Sequence, residues 1–419
     1  MDFKKLLSEI VCECGKIHRS EVKTIVMESG ALSKLPSVIE KMGDYRRLGV
    51  ICDENTYAVA GKRVAEMLSP AQVIVLDPYH LHANERAVGL VQAEIKDDLD
   101  LLIAVGSGTI HDITRYVAYH KGLSFVSVPT AASVDGYVSS VAAMTWNGAK
   151  KTMTACAPVA MVADIEIIAE APMRLTASGV GDMLGKYTAL LDWKIGAIFC
   201  DEYYCKRIAE LVEQALLNVK NSVEKLQSRD REAIALLMYG LVLSGVAMQH
   251  TGISRPASGS EHHISHFIEM TVPPEVCDAL HGEKVGVGLM LVSRLYHDFN
   301  ALSDEEIAKR CRDYERASDA YVEGKFGSLA EEIYKENGKD CAEGITKEQI
   351  LSALPEIRGL IADLPAPEEL SEILDACGAC KSLEDIGLSE KEMLPELYSV
   401  APLVRNRLTL MRLLRGFAV

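Results

Sequence analysis

The chain lacks any strongly basic stretch to offset its shortage of positive charge: 44 lysines and arginines face 60 aspartates and glutamates, for a formal net charge of -16. That balance excludes nucleic acid as a partner, because holding a phosphate backbone requires a basic face. It does not exclude a small anion, since a local cationic pocket overrides a mean field. The opening stretch MDFKKLLSEIVCECGK has no long apolar core and carries acids, so it does not read as a signal peptide. No run of about twenty apolar residues occurs, and no membrane span is expected. Internal repeats and low-complexity linkers are missing too, as is the full G-x-G-x-x-G dinucleotide fingerprint. The eleven cysteines are odd in number and scattered. Of the close pairs, Cys377-Gly-Ala-Cys380 is distant from Cys12-Glu-Cys14, whose one-residue gap is unfavourable for zinc. Reduced thiols in a cytoplasmic protein are expected.

What is present is an ordinary globular composition, 48% hydrophobic and 25% charged, over 419 residues, which is enough for two domains with separate cores. Residues 4–15 suggest a short amphipathic helix. From Arg47 the pattern alternates: LGVICD (48–53), a helix over 55–68, AQVIVLD (71–77), a helix over 84–97, a strand over 99–105, a helix to about residue 119 and a strand over 124–128. Alternation of this length predicts a parallel sheet with helices on both faces. Trp146-Asn-Gly-Ala reads as a hairpin turn, with Lys150 and Lys151 just after it. Past Pro172 the pattern is helical, with helices near 203–226, 230–250 and 284–297 and a strongly amphipathic last helix over Leu403–Leu414. The expected architecture is α/β: a Rossmann-like parallel-sheet domain over 1–168 and an all-helical domain over 169–419.

The chemistry-bearing stretches lie at strand ends and helix starts. Gly106-Ser107-Gly108-Thr109 joins a strand to a helix, where backbone N–H groups and the helix dipole hold phosphates; small residues also merely permit tight turns. Asp53 ends a strand, suited to accept from a ribose diol or to cap the next helix. Thr130-Ala-Ala-Ser133-Val-Asp135-Gly136 follows a later strand. Asp182 is expected in the first turn of an apolar helix, with Lys186 one turn on. The stretch 254–288 holds His262, His263, His266 and His281, with Glu261 and Glu283 beside two of them. His262 and His266, four apart, share one helix face. Imidazoles clustered with carboxylates are what a divalent metal requires, against the plainer reading of capped or surface histidines.

These motifs, GSGTIHD (106–112), PTAASVDGYVS (129–139), GVGDMLGKYTALLDW (179–193), SRPASGSEHHISHFIE (254–269) and LHGEKVGVG (280–288), resemble in this order the sn-glycerol-1-phosphate dehydrogenases. That family belongs to the superfamily of iron-containing alcohol dehydrogenases, glycerol dehydrogenases and dehydroquinate synthases, and the resemblance covers nearly the whole chain. It implies one divalent metal, nickel or zinc, on Asp182, His262 and His281. His266 and Asp182 would lie at the chemistry, Asp135 on the substrate's hydroxyls, and His263 would be a bystander. Asp53, Gly106, Gly108, Thr109, Ile110, His111, Asp112, Thr130, Ala131, Ala132, Ser133 and Ser139 would line NAD(H) or NADP(H). The implied reaction is reversible reduction of dihydroxyacetone phosphate to sn-glycerol 1-phosphate, with hydride going to C2 and the carbonyl oxygen on the metal. Arg255, in the loop before His262, is the expected contact for the phosphate, ahead of Lys150 and Lys151, the alternative being that it braces that loop through carboxylates or carbonyls. The alternatives are a glycerol or other polyol dehydrogenase of the same superfamily and a dehydroquinate synthase-like lyase, which needs a denser set of cations than Lys150, Lys151, Lys186, Arg255 and Lys284. The branch with this tail implies a cytoplasmic homodimer.

Overall fold

Six strands of the first of two compact units form one parallel sheet: β1 Thr24–Glu28, β2 Leu48–Asp53, β3 Gln72–Leu76, β4 Leu101–Gly106, β5 Ser124–Pro129 and β6 Ala160–Asp164, in the order β1-β6-β5-β4-β2-β3. The computed structural model describes residues 3–415 and Phe417. Its first unit comprises residues 1–179 and 214–253, its second 180–213 and 254–419.

The central strands β2 and β4 are buried along their whole length, as a sheet covered on both faces requires. Alternate residues take opposite faces. Ile51, Leu102 and Ala104 pack with Val88 and Val91 of helix Glu85–Glu94 and with Ile113 and Val117 of α1, Gly108–Lys121. Val50, Cys52, Ile103 and Val105 pack on the other side with Val38, Ile39 and Val64. The two outer additions to the expected sheet are β1 and β6, paired to each other in parallel. The Asn147-Gly148 turn, both residues with positive φ, joins an antiparallel hairpin of Val141–Trp146 and Ala149–Thr154.

Three expected helices come out differently. Residues 4–15 are helical only over Phe3–Leu7; β-branched Ile10 and Val11 instead pair antiparallel with Ile17–His18 around a turn at Gly15, whose φ is +84°. Residues 403–414 are helical only at Ala401–Val404 and Leu410–Leu414, because Thr409 caps a new start by accepting from the Arg412 amide at 3.1 Å. Asp182 lies near the end of helix α2, Met173–Leu184, which runs through Gly179 and Gly181.

One helix of the first unit, Arg231–Thr251, is long and apolar enough by composition to cross a membrane, and 78% of its most apolar window is buried inside the fold. The second unit holds the core built from α3 (Lys186–Cys200), α4 (Ser260–Thr271), α5 (His281–Ala301) and the helices beyond, with Ile195, Phe267, Val287, Tyr296 and Ile357 among its buried residues.

His111, in the first turns of α1, acts as a buried clamp. Its Nδ1 donates to the Ser107 carbonyl at 2.9 Å, so Nε2 is left to accept from the Ser127 hydroxyl at 2.8 Å. Burial, reinforced by Arg115 and opposed by the Ser107 bond, pulls its pKa down to about 3. The folded pKa is below the unfolded one, so its contribution to stability is full above the unfolded value and is lost as pH falls towards 3. Taking pH 7 to pH 5 should therefore cost about 2 kcal/mol through this residue alone. Chemical denaturation of wild type and His111→Asn at both pH values checks this: the variant should be less stable at pH 7, and the gap should shrink at pH 5.

Candidate metal centre

In the second unit, ligand atoms of Asp182, His262 and His281 all lie within 4.8 Å of one another. His262 Nε2 is 3.7 Å from Asp182 Oδ1. Ligands on one tetrahedral ion, each about 2.1 Å from it, are separated by roughly 3.4 Å, so this spacing suits a shared metal.

Each imidazole is oriented by a carboxylate behind it. His262 Nδ1 donates to Glu261 Oε1 at 2.7 Å, and His281 Nδ1 donates to Glu269 Oε1 at 3.0 Å. An ionised carboxylate only accepts, so the proton sits on Nδ1 and Nε2 presents its lone pair. Glu261 is itself fixed by Thr188 Oγ1 at 2.5 Å and the Gly259 amide at 2.7 Å. Burial raises the Glu261 pKa, but His262, Thr188 and Gly259 outweigh it and hold the group below its usual range. Ligand atoms of a second grouping, His266 with Glu269 and His281, also lie within 4.8 Å of one another. It would break the Glu269–His281 hydrogen bond, so the set containing Asp182 is the better fit.

Asp182 and Lys186 are both fully buried, with Lys186 Nζ donating to Asp182 Oδ1 at 2.6 Å. Burial raises the Asp182 pKa, and the Lys186 ammonium leads the opposing charges that hold the carboxyl below its usual value. His266 lies one turn along α4, its ring centroid 6.0 Å from both His262 and His281. Burial, with Arg405 adding to it, holds its pKa well below the usual histidine value, so it is neutral. Solvent reaches the cluster at His281, whose side chain is 27% exposed.

Close backbone approach brings these elements together. A Cβ on Gly181 would sit 2.3 Å from the Gly282 carbonyl oxygen, and one on Gly288 would sit 2.5 Å from that of Glu261. Only glycine allows α2, α4 and α5 to touch there. The start of α4 is held by Asp192: Oδ2 accepts from the Ser260 amide at 2.8 Å, while Oδ1 accepts from Tyr296 at 2.7 Å and the Leu410 amide at 2.8 Å. Burial and the neighbouring Glu261 charge, against those hydrogen bonds, raise the Asp192 pKa to about 6.

Arg255 lies in the same unit but is 2% exposed and clasps Glu202, with Nε donating to Oε1 at 2.6 Å and Nη2 to Oε2. Lys284 donates to the Ala279 carbonyl at 2.5 Å. His263 is buried, with no hydrogen-bond partner for either ring nitrogen among the described residues. Glu269, behind His281, was missed by the sequence reading. It stands seven residues after His262 and three after His266, which is the spacing of one helix face.

The first unit carries the remaining candidates. Gly106 ends β4, Gly108 to Asp112 open α1, and Ser107 at the N-cap makes no capping bond with its side chain, so the first-turn amides are not capped by it. Thr130 to Ser133 follow β5, pinned by Tyr137, whose hydroxyl donates to the Ala131 carbonyl at 2.6 Å and bonds Ser133 Oγ at 2.9 Å. Asp135 Oδ2 accepts from Ser244 at 2.8 Å, and Ser139 Oγ donates to the Val141 carbonyl at 3.0 Å. Asp112 accepts from the buried Arg115 at 3.0 Å. Asp53, at the end of β2, caps the following turn by accepting from the Thr56 amide at 2.8 Å.

Comparison with known proteins places these features in a family. A glycerol-1-phosphate dehydrogenase (NAD(P)+) from Halalkalibacterium halodurans is 32% identical over 417 residues, covering 97% of this chain and 96% of the relative. The chain belongs to the glycerol-1-phosphate dehydrogenase family. A second member, from Bacillus licheniformis, is 38% identical over 324 residues, covering 74% of this chain and 80% of its own. The family described as iron-containing alcohol dehydrogenase matches residues 26–172. Among solved structures, the NADH-dependent butanol dehydrogenase A of Thermotoga maritima shares the two-domain α/β fold at a TM-score of 0.62 and 16% identity, covering 96% of this chain and 97% of its own.

The glycine contacts make a sharp prediction. Gly181→Ala should lower metal affinity by at least tenfold and destabilise the second unit by about 1–3 kcal/mol or more, since neither backbone can yield like a side chain. Gly359→Ala is the control: a Cβ there meets nothing within 4 Å inside a helix, and it should stabilise by about 0.5–1 kcal/mol. Chelator competition and thermal melts report both.

Proposed function

We propose that this chain reversibly reduces dihydroxyacetone phosphate to sn-glycerol 1-phosphate with NADH or NADPH, at a divalent metal held by Asp182, His262 and His281. The observation that carries the reading is the convergence of those ligands, each histidine with its Nδ1 committed to a carboxylate. When bound, the metal supplies Lewis-acid polarisation of a carbonyl, and the reduced nicotinamide supplies hydride. Two imidazoles and a carboxylate suit nickel and zinc alike.

The chain's own residues have distinct tasks. Asp182 stays ionised under the hold of Lys186. Glu261 and Glu269 fix the two ligand tautomers. His266, neutral and one turn from His262, relays a proton, taking it on one ring nitrogen as it releases the other. Asp135 is assigned to the substrate's hydroxyls. The α1 start and the Thr130–Ser133 loop are assigned to the cofactor; a strand-to-helix turn with no side-chain cap at the carboxyl edge of a parallel sheet supports this. Asp53 is assigned to the ribose in addition to its capping bond. A homodimer in the cytoplasm is proposed on the family pattern.

Absorbance of NADH with dihydroxyacetone phosphate, then with dihydroxyacetone, tests the reaction. Activity should be confined to, or much greater with, the phosphorylated ketone; equal rates on both would overturn phosphate specificity. Asp182→Asn and His281→Ala should each remove the bound metal and lower kcat by at least a thousandfold with the fold intact. Arg255→Ala separates two roles: selective loss with the phosphorylated ketone marks a phosphate contact through Nη1, which has no hydrogen-bond partner among the described residues, and equal loss on both marks a brace for its loop through Glu202. Asp53→Ala should weaken NADH more than NADPH, since a carboxylate repels a 2′-phosphate.

A further inference from the structure

The hairpin of Ile10–Val11 and Ile17–His18, in the first unit, packs Ile10 and His18 into the fold on one face and leaves the other face open. Its strands are two residues each, Val11 is 78% exposed and Ile17 51% exposed. A short two-stranded hairpin is marginal without a packed face or a crosslink. Its turn, Cys12-Glu13-Cys14-Gly15, folds tightly: the Gly15 amide donates to the Cys12 carbonyl at 3.1 Å, and the Cys12 amide to the Lys16 carbonyl at 3.2 Å. A one-residue gap between cysteines is unfavourable along an extended chain. Around this turn it is not: the ligand atoms of Cys12, Cys14 and His18 all lie within 4.8 Å of one another.

His18 is fully buried, and its Nδ1 lies 2.7 Å from the His250 carbonyl oxygen. A carbonyl only accepts, so Nδ1 carries the proton and Nε2 points its lone pair elsewhere. It points at Cys14, with Sγ at 3.4 Å. Sulfur and nitrogen on one tetrahedral zinc are separated by about 3.5 Å, from bonds of about 2.3 and 2.0 Å. A ligand imidazole oriented through its other nitrogen by a backbone carbonyl is a regular feature of metal sites.

We propose that Cys12, Cys14 and His18 bind a structural zinc ion, separate from the metal on Asp182, His262 and His281, that crosslinks this hairpin. Each thiol loses its proton on binding, and a fourth ligand comes from water or a further thiol of the chain. Sulfur donors select zinc over harder cations.

The test uses the full-length protein purified without chelators. Metal analysis should find two equivalents per chain, and Cys12→Ser/Cys14→Ser should lose one while keeping the other. Cobalt substitution gives a readout specific to this site, because the set containing Asp182 has no sulfur. Wild type should show a thiolate-to-cobalt charge-transfer absorption in the near ultraviolet, absent from the double variant. If the Asp182 set binds no metal, wild type holds one equivalent but the sulfur band persists, so the two readings fail separately. A wild type without that band, or a double variant with undiminished zinc, overturns the proposal. The band is read on wild type, so poor folding of the variant leaves the test intact.

Discussion

The second unit depends on backbones touching where a side chain would hold them apart. Gly181 lies against the Gly282 carbonyl and Gly288 against that of Glu261. Each contact joins the immediate neighbour of one expected ligand, or the residue before it, to another ligand-bearing helix. Asp182, His262 and His281 come from three helices, the first well before the other two in the sequence, and each offers only a short reach to a shared ion. Ordinary helix packing, at about 8–10 Å between axes with side chains interleaved, leaves less freedom to bring three such groups onto one ion. Glycine at the crossings allows closer approach.

That closeness concentrates charge. Asp182, Glu261 and Glu269 contribute three carboxylates to the cluster, and Lys186 is paired directly with Asp182. Lys186, and the charge of Arg405 acting on Glu269, offset part of that negative charge; what remains on the buried groups is costly unless compensated. A divalent cation supplies the missing charge. The Lys186–Asp182 pair keeps the carboxylate ionised without it.

What could be read from the sequence followed from locality. The strands Leu48–Asp53 and Leu101–Gly106 are continuous apolar runs because both faces of the sheet are covered, and such runs are visible in one dimension. Strand Thr24–Glu28 is half-exposed and pairs with Ala160–Asp164, more than a hundred residues away, so its partner rather than its own pattern makes it a strand. His262 and His266 were legible as one helix face, and by the same spacing Glu269 belonged beside them. For Arg255 the sequence left a phosphate contact and a brace through carboxylates both open, because nothing local distinguishes a guanidinium facing a ligand from one folded onto a carboxylate 53 residues earlier. Gly179 and Gly181 misplaced the helix around Asp182: glycine reads as a helix breaker until a close contact shows why it is needed.

Asp192 joins the Ser260 amide, at the first turn of the histidine helix, to the amide of Leu410, 218 residues further along the chain. This has a consequence for the order of assembly. A ribosome has released every expected metal ligand once residue 281 is clear, yet the carboxylate that seats the histidine helix still lacks two of its partners, Tyr296 and the Leu410 amide. The metal centre therefore acquires its complete scaffold late in synthesis, after more than a hundred further residues have emerged. Until then nothing from the far end of the chain ties down the helix that carries His262 and His266.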